Sequence, residues 1–190
     1  MMATIRHERP ADAAAREALL NLAFGPCRFD KASQRLRDGQ HPAEGLSFVA
    51  TVLGRVIGTV RLWHITAGAH PALLLGPLAV HPDFRTCGIG AALMRRALDD
   101  AAARGHAAVL LVGDAPYYAR FGFAADKTAG LWLPGPYEAD RLLARELQPG
   151  ALDGAYGLIL AAGLPSKRLG RTRHLAPAAA VSHAVLPRAA

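Results

Sequence analysis

The sequence predicts a single α/β domain built on a mixed sheet, and three features carry that prediction. "AAVLLVG", residues 107–113, is a continuous apolar run of the kind buried on both faces of a sheet. A glycine-led amphipathic helix precedes it, and an apolar strand near 72–80 precedes the helix. Strand, helix and strand over 72–113 form a crossover whose usual right-handed sense makes the two strands parallel.

The elements follow in order. Residues 3–8 alternate as a first strand, with helical stretches near 10–24 and 28–38 behind it. "GLSFVATVLGRVIGTVRLWHI" reads as a hairpin of strands 46–53 and 56–65 around a Gly54-Arg55 turn. Gly76-Pro77 interrupts the strand near 72–80; proline has no N–H for a ladder, so the pair predicts a bulge or splay in mid-sheet. In the helix 88–104, Ile89, Leu93, Ala97 and Ala101 recur at four-residue steps. Arg104-Gly105 closes it with a cation and a left-handed cap. A short helix near 115–120 and strands near 122–125, 140–147 and 155–160 complete the chain. There is no internal repeat.

The stretch joining strand to helix, "LAVHPDFRTCGIGAALMRRAL" over 78–98, carries the chemistry. Gly88 and Gly90 stand at the helix start, where bare backbone amides point outward and the dipole favours an anion. Residues 84–98 contain no acid, whereas Arg85, Arg95 and Arg96 are cations. That pattern suits an external anion, most simply a phosphate. A Walker loop needs two glycines five apart followed by Lys and Ser/Thr, which is absent here. A dinucleotide fingerprint needs a third glycine at Leu93 and its first directly after the strand, yet residues 81–87 separate Val80 from Gly88. A glycine-rich loop that serves only as a helix entry is the plain structural alternative. Where strand 72–80 diverges from 107–113, unpaired backbone groups face a cleft, and an extended amide ligand can bond there as a pseudo-strand. A split sheet beside an anion site suits pantetheine joined to a pyrophosphate, the make-up of coenzyme A.

Composition sets the class. The 190 residues are 52% hydrophobic and 19% charged, enough for one substantial core and hardly for two. No apolar span of membrane length occurs, and "MMATIRHERPADAA" lacks the apolar region of a signal peptide, so no membrane association is expected. The only cysteines are Cys27 and Cys87, which fits a reducing cytoplasm. Of the net charge of +7, five units come from Lys167, Arg168, Arg171, Arg173 and Arg188. The domain is therefore assigned to 1–160, and 161–190 to a basic, Ala/Pro/Arg-rich extension of little order. The extension has no aromatic residue for base stacking, so nucleic acid is not expected as a partner. The eight histidines show no metal-ligand spacing and the serines no nucleophile elbow, so no metal and no serine nucleophile is expected.

With these residues in view, the sequence resembles the GNAT superfamily of N-acetyltransferases. "LAVHPDFRTCGIGAAL" is similar to its acetyl-CoA motif, an Arg or Gln followed at the third and fifth places by Gly and Gly/Ala. "YYARFGF", 117–123, is similar to its second hallmark, an aromatic-rich helix entering the next strand through Gly-Phe. With "PGPYEADRLLARELQPGAL", 134–152, the pattern resembles the small bacterial YhbS-like branch. The resemblance spans roughly residues 3–160 and implies a GNAT-like sheet, splayed between the strands near 72–80 and 107–113 and flanked by helices.

Carried over residue by residue, the resemblance implies that Leu78, Ala79 and Val80 form the strand whose backbone holds pantetheine and polarises the thioester carbonyl. Arg85 takes the Arg/Gln position, and Thr86, Cys87, Gly88, Ile89, Gly90 and Ala91 match the pyrophosphate loop. Tyr118, four residues before Gly122, takes the place of the tyrosine that protonates the leaving thiolate; Tyr117 beside it is expected to be neutral. Asp114 stands near the position of an Asn that faces the cofactor in many members. The strand glutamate that many members use as base is missing, since "ALLLGPLAV" has no ionisable side chain. His64, His70, Asp83 and Glu44 are the alternative bases, each with a solvated surface role as its plain reading. Trp132 and Tyr137 either line an acceptor pocket or staple their Pro/Gly-rich loop to the core. Cys87 reads as a bystander, because direct transfer needs no acyl-enzyme.

The resemblance thus implies an acetyl-CoA-dependent N-acetyltransferase in which a primary amine, on a small molecule or a peptide, attacks the thioester directly. Acetyl-CoA is the cosubstrate, no metal takes part, and a homodimer is compatible. The rival readings are a non-catalytic acyl-CoA-binding module and a nucleic-acid binder working through its basic tail.

Overall fold

The computed structural model describes residues 3–166. Its strands are β1 (Thr4–His7), β2 (Ser47–Val52), β3 (Arg55–Ala67), β4 (His70–Leu75), β5 (Ala79–Val80), β6 (Ala108–Val112), β7 (Leu131–Trp132), β8 (Leu142–Glu146) and β9 (Gly157–Ala161). The helices are α1 (Ala13–Phe24), α2 (Ala32–Arg35), α3 (Ile89–Ala103) and α4 (Ala115–Ala119). The main sheet runs β1-β2-β3-β4-β6-β8, with β5 and β9 also on β3 and β7 on β9. Only β4–β6 and β7–β9 are parallel. The crossover through α3 therefore joins parallel strands, and the mixed α/β sheet is the one the periodicity predicts.

Alternation along the strands sorts the core onto two faces. Leu62, Leu73, Leu75, Val109 and Leu111 face α3, which inserts Leu93, Met94, Ala97, Leu98 and Ala101. Trp63, Ile65, Leu74, Ala108 and Leu110 face the other way, under Leu131, Leu133 and Leu152. Helix α1 covers that second face further along, setting Leu19 and Leu20 against Val49, Val56 and Ala79. The close approach of α3 to the sheet requires Gly58, where a Cβ would stand 2.9 Å from a Leu93 methyl.

The sheet opens where Gly76-Pro77 interrupts it. On the β4 side Leu75 is opposite Leu62 of β3, and on the β5 side Ala79 is opposite Thr59. Four steps of one strand thus span three of the other, a β-bulge of one extra residue. The ladder is kept on both sides of it: the Gly76 N–H donates to the Arg61 carbonyl at 2.8 Å, and the His81 N–H to the Ile57 carbonyl at 2.8 Å. The buried Trp63 indole N–H donates to the Gly76 carbonyl at 2.6 Å and fixes the break. Parallel pairing with β6 covers Leu73 and Leu74, and beyond it the strands separate.

Several expected elements are altered. The β2–β3 turn is Leu53-Gly54 rather than Gly54-Arg55, with both residues at positive φ (48° and 77°), as a two-residue hairpin matching strand twist requires. The helix expected over 28–38 is a 3-10 turn at Pro26–Phe29 followed by the four-residue α2. Only Ala32, Leu36 and Arg37 are buried there, too little apolar surface to hold a longer helix. The strand expected near 122–125 shrinks to one bridge between Ala124 and Ala144, because Gly122 is left-handed at φ 76°. Strand β7, two residues long, was not foreseen.

The expected boundary at 160 falls inside β9. Past it, the Ala162 N–H donates to His64 at 3.0 Å, Leu164 accepts from the His41 N–H at 2.9 Å, and the Ser166 N–H donates to Gly39 at 2.7 Å. The remainder of the proposed tail, 167–190, lies outside the described residues. A chain ending at residue 166 should melt within about 2 °C of the full chain, whereas one ending at 160 should lose about 1–3 kcal/mol and melt several degrees lower. Thermal unfolding followed by circular dichroism distinguishes them; equal melting of all three would show that the 161–166 bonds contribute nothing.

Candidate functional site

Two cavities meet at the break in the sheet. The first, about 390 Å³, lies in the splay between Leu75-Gly76-Pro77-Leu78 and Leu111-Val112-Gly113-Asp114, with Tyr117 and Tyr118 at its end. Arg28, Lys31, Arg37 and Arg141 form its opposite wall. The second, also about 390 Å³, is bounded by Val80, Phe84 to Thr86, Gly88 to Ala91, Tyr117 and Arg120. Tyr117 lines both, so the two are neighbours across one ring.

The backbone of β5 explains how the first cavity acquires polar edges. In an antiparallel pair successive residues direct their N–H and C=O to opposite sides. His81 bonds to β3, so Ala79 does as well, whereas Leu78 and Val80 turn their backbone groups toward the gap. The sequence-assigned trio thus divides: Leu78 and Val80 reach the cavities, while Ala79 spends its backbone on β3 and buries its methyl beneath α1.

The loop from His81 to Gly88 delivers the start of α3. A 3-10 turn at Pro82–Phe84 is followed by two left-handed residues, Thr86 at φ 70° and Gly88 at φ 74°. The first helical bond is Ala92 N–H to Gly88 carbonyl at 2.9 Å, so the amides of Ile89, Gly90 and Ala91 lack a helical acceptor. Among the described residues no side chain caps them, and no acid lies in the first turn. Arg85 and Arg120 add positive charge at the rim. Gly90 leaves room at the loop: a Cβ there would stand 3.2 Å from the Tyr117 hydroxyl and 3.6 Å from a Val80 methyl, a tight fit. Ile89 buries its side chain in the core and offers only its backbone. Cys87 is exposed and does not line the cavity.

Tyr118 is seated by an absence. Its ring lies flat on Gly113 at the end of β6, where a Cβ would come within 2.1 Å of Cε2 and 2.7 Å of Cδ2. Tyr117, edge-on at 4.9 Å, and Phe123 at 6.1 Å hold the other sides. Its hydroxyl has no hydrogen bond to any described residue. Burial pushes the phenol up to about 12, with Tyr117 and Asp114 acting in the same direction against Arg141, so Tyr118 is a proton-bearing group at neutral pH. Asp114 is exposed on the rim of the cleft, and its carbonyl accepts the Tyr117 and Tyr118 amides that begin α4.

Tyr117, the residue expected to matter little beside Tyr118, lines both cavities. Its ring separates the cavities, its hydroxyl lies by Gly90, and the Arg120 guanidinium stacks on it at 4.1 Å. Arg120 and the basic wall Arg28, Lys31, Arg37 and Arg141 also went unseen in the sequence, because segments far apart in the chain bring them together. Of the alternative bases, His64, His70, Asp83 and Glu44 do not line the splay cleft. Tyr137 staples its loop, donating to the Leu131 carbonyl at 3.2 Å, and Trp132 lies exposed against Tyr156. Among the described residues, no group of three or more His, Cys, Asp or Glu could hold a metal ion, and no helix is long and apolar enough to cross a membrane.

A splayed mixed sheet with a free helix N-terminus beside the break is the architecture of a coenzyme A-dependent acyltransferase. Residues 43–125 match the family model of the acetyltransferase (GNAT) domain. The chain is 33% identical over 158 residues to the Escherichia coli (strain K12) protein named "Uncharacterized N-acetyltransferase YhbS", covering 82% of this chain and 93% of that one. A crystal structure of Escherichia coli YhbS in complex with CoA superposes with a TM-score of 0.72 at 32% identity, covering 84% of this chain and 89% of that one. A GNAT family acetyltransferase from Brucella melitensis in complex with acetyl-CoA gives 0.62 at 28% identity, covering 85% and 96%. The chain belongs to the GNAT acetyltransferase family.

Two glycine substitutions test the two cavities separately. Gly90→Val should weaken coenzyme A binding at least about tenfold, or 1.4 kcal/mol, in calorimetry while the chain still melts cooperatively. Unchanged affinity would remove the loop from the cofactor site. Gly113→Ala should displace the Tyr118 ring and lower kcat about tenfold or more, while coenzyme A affinity changes less than about threefold. A variant with parental kcat would show that the seat of Tyr118 is immaterial.

Proposed function

We propose that the protein transfers the acetyl group of acetyl-CoA to a primary amine by direct attack, with Tyr118 assisting departure of the sulfur. The observation that carries this reading is the placement of Tyr118: a protonated phenol with no hydrogen-bond partner among the described residues, at the end of the cleft beside Tyr117, whose ring parts the cleft from the pyrophosphate loop. Leu78 and Val80 would hold pantetheine along the open edge of β5, and the amides of Ile89, Gly90 and Ala91, with Arg85 and Arg120, the pyrophosphate. Thr86, Gly88 and Tyr117 shape that loop, and Asp114 borders the cleft. Bound acetyl-CoA supplies an electrophilic thioester carbonyl and a thiolate leaving group.

The cleft lacks a strand carboxylate, and its charge offers another route to a neutral amine. Arg28, Lys31, Arg37 and Arg141 line the acceptor side against the single carboxylate of Asp114. Four cations lower the pKa of an entering ammonium, which then gives its proton to solvent or to Asp114 before attack. Tyr118 takes the complementary part. With its own pKa near 12 it is a weaker acid than an ordinary thiol at about 8.5. Its contribution is therefore a hydrogen bond to the developing thiolate, with full protonation completed through solvent.

That role sets a moderate effect. Tyr118→Phe keeps the ring on Gly113 and removes only the hydroxyl, so kcat should fall about 10- to 100-fold, or about 1.4–2.7 kcal/mol, with coenzyme A affinity nearly unchanged. Release of coenzyme A thiol with an amine panel measures it. A variant that turns over at the parental rate when chemistry is limiting would make Tyr118 a packing residue. An unaltered chain that binds coenzyme A yet acetylates no amine would favour a binding module.

A further inference from the structure

The basic wall of the cleft is unevenly neutralised. Arg61 and Arg16 both bond to Glu8, and Arg16 and Arg28 both bond to Glu17. Arg28 also donates to Asn21 at 2.9 Å. Arg141 has Glu138 at 3.7 Å, and the Lys31 ammonium lies 4.9 Å over the Phe24 ring. Arg37 differs from all of these. It is only 8% exposed, yet its guanidinium makes one side-chain hydrogen bond among the described residues, a long one of 3.3 Å to Ser33 Oγ. Its Nε is buried without a partner, and Nη1 lies 3.3 Å from where a Cβ of Gly76 would be, beside the break in the sheet. The charges around it are Asp38, hydrogen-bonded to Gln34, together with Arg28, Lys31 and Arg141; the cleft adds Asp114 at its rim.

Leaving a guanidinium buried with so few of its five donors used is costly unless a ligand completes the set. The missing partner is an acceptor of two parallel N–H bonds, the geometry of a carboxylate or phosphate. We infer that the acceptor amine carries an anionic group, and that Arg37, with Lys31 beside it, binds that group while the amine faces the thioester at Leu78 and Tyr118. This rests on the transferase reading above and names its substrate class: a small amino acid or other amine bearing a carboxylate or a phosphate. The cleft of about 390 Å³ is of the size that takes a small ligand. Partial burial depresses the Lys31 ammonium first, and Arg141 and Arg37 depress it further; those two cations are part of the field such an anion would enter.

The test compares amines with and without an anionic group at a pH where both members of a pair are compared per unprotonated amine, using the full chain. An amino acid is paired with its primary amide, and phosphoethanolamine with ethanolamine, so that the two anion chemistries are separated. With coenzyme A thiol release as readout, kcat/KM should favour the anionic member of at least one pair by about tenfold or more, the scale of a charge-assisted hydrogen bond. In Arg37→Met, which replaces a buried charge by an apolar chain of similar length, that preference should collapse to within about twofold while coenzyme A affinity is retained. Arg37→Lys should keep part of it, and the exposed Lys31→Met should reduce it without affecting folding. Where turnover is too slow to read, calorimetry on the coenzyme A complex compares an N-acetylated amino acid with its amide, and the acid should bind about tenfold tighter. Equal handling of acid and amide, or a preference that survives in Arg37→Met, overturns the inference. Failure of the unaltered chain to bind coenzyme A overturns the transferase reading, and the acceptor assignment falls with it.

Discussion

The single extra residue at Gly76-Pro77 is the constraint on which the rest of the site depends. A regular strand from 70 to 80 would pair with β6 along its length and leave no cleft. The bulge instead turns the chain away from β6 while keeping its bonds to β3, through Gly76 to Arg61 and His81 to Ile57. The Trp63 indole makes that departure stable by bonding the Gly76 carbonyl, which burial would otherwise leave unpaired. One side of β5 is thereby structural, with Ala79 facing β3, and the other side is free for a ligand at Leu78 and Val80.

From that break two consequences run in opposite directions along the chain. Downstream, the loop to Gly88 presents the uncapped start of α3, whose long apolar stripe is locked against the sheet by Leu93, Met94 and Leu98. An anion site is thus rigid because its helix is a core element. Across the gap, β6 ends at a glycine on which Tyr118 lies, and Tyr117 fills the corner between cleft and loop. The same short segment, Gly113 to Tyr118, therefore positions groups toward both ends of one extended ligand.

The acceptor side is held by charge rather than by apolar packing. Glu8 and Glu17 bind Arg61, Arg16 and Arg28 in one chain of ion pairs running from β1 through α1 to the edge of the cleft. Burial acts to raise Glu17, but hydrogen bonds from Arg28 and Arg16 outweigh it and hold the carboxyl below its usual range. Such networks seldom add net stability over apolar packing, and their gain is in fixed geometry. Here the geometry fixed is that of the segment carrying Arg28, Lys31 and Arg37, where α1 gives way to the short α2.

The sequence by itself determined the crossover, the glycine-led helix, the break at Gly76-Pro77 and the placing of Tyr118 after β6. Each is written in local signals: apolar period, a proline that cannot donate, glycines where backbone must stay bare. It also pointed to the family through two motifs that lie close together in the chain. What it left undecided depends on residues distant in sequence and adjacent in space. Which of Leu78, Ala79 and Val80 faces the cleft follows from register against β3, and the need for Gly113 follows from the packing of a ring five residues later. The basic wall draws on residues 28 to 37 and 141, with no periodicity to join them. Tertiary structure alone decided that Arg37, in the turn after α2, is buried with a single long side-chain hydrogen bond among the described residues, because burial and partnership are properties of three-dimensional neighbours.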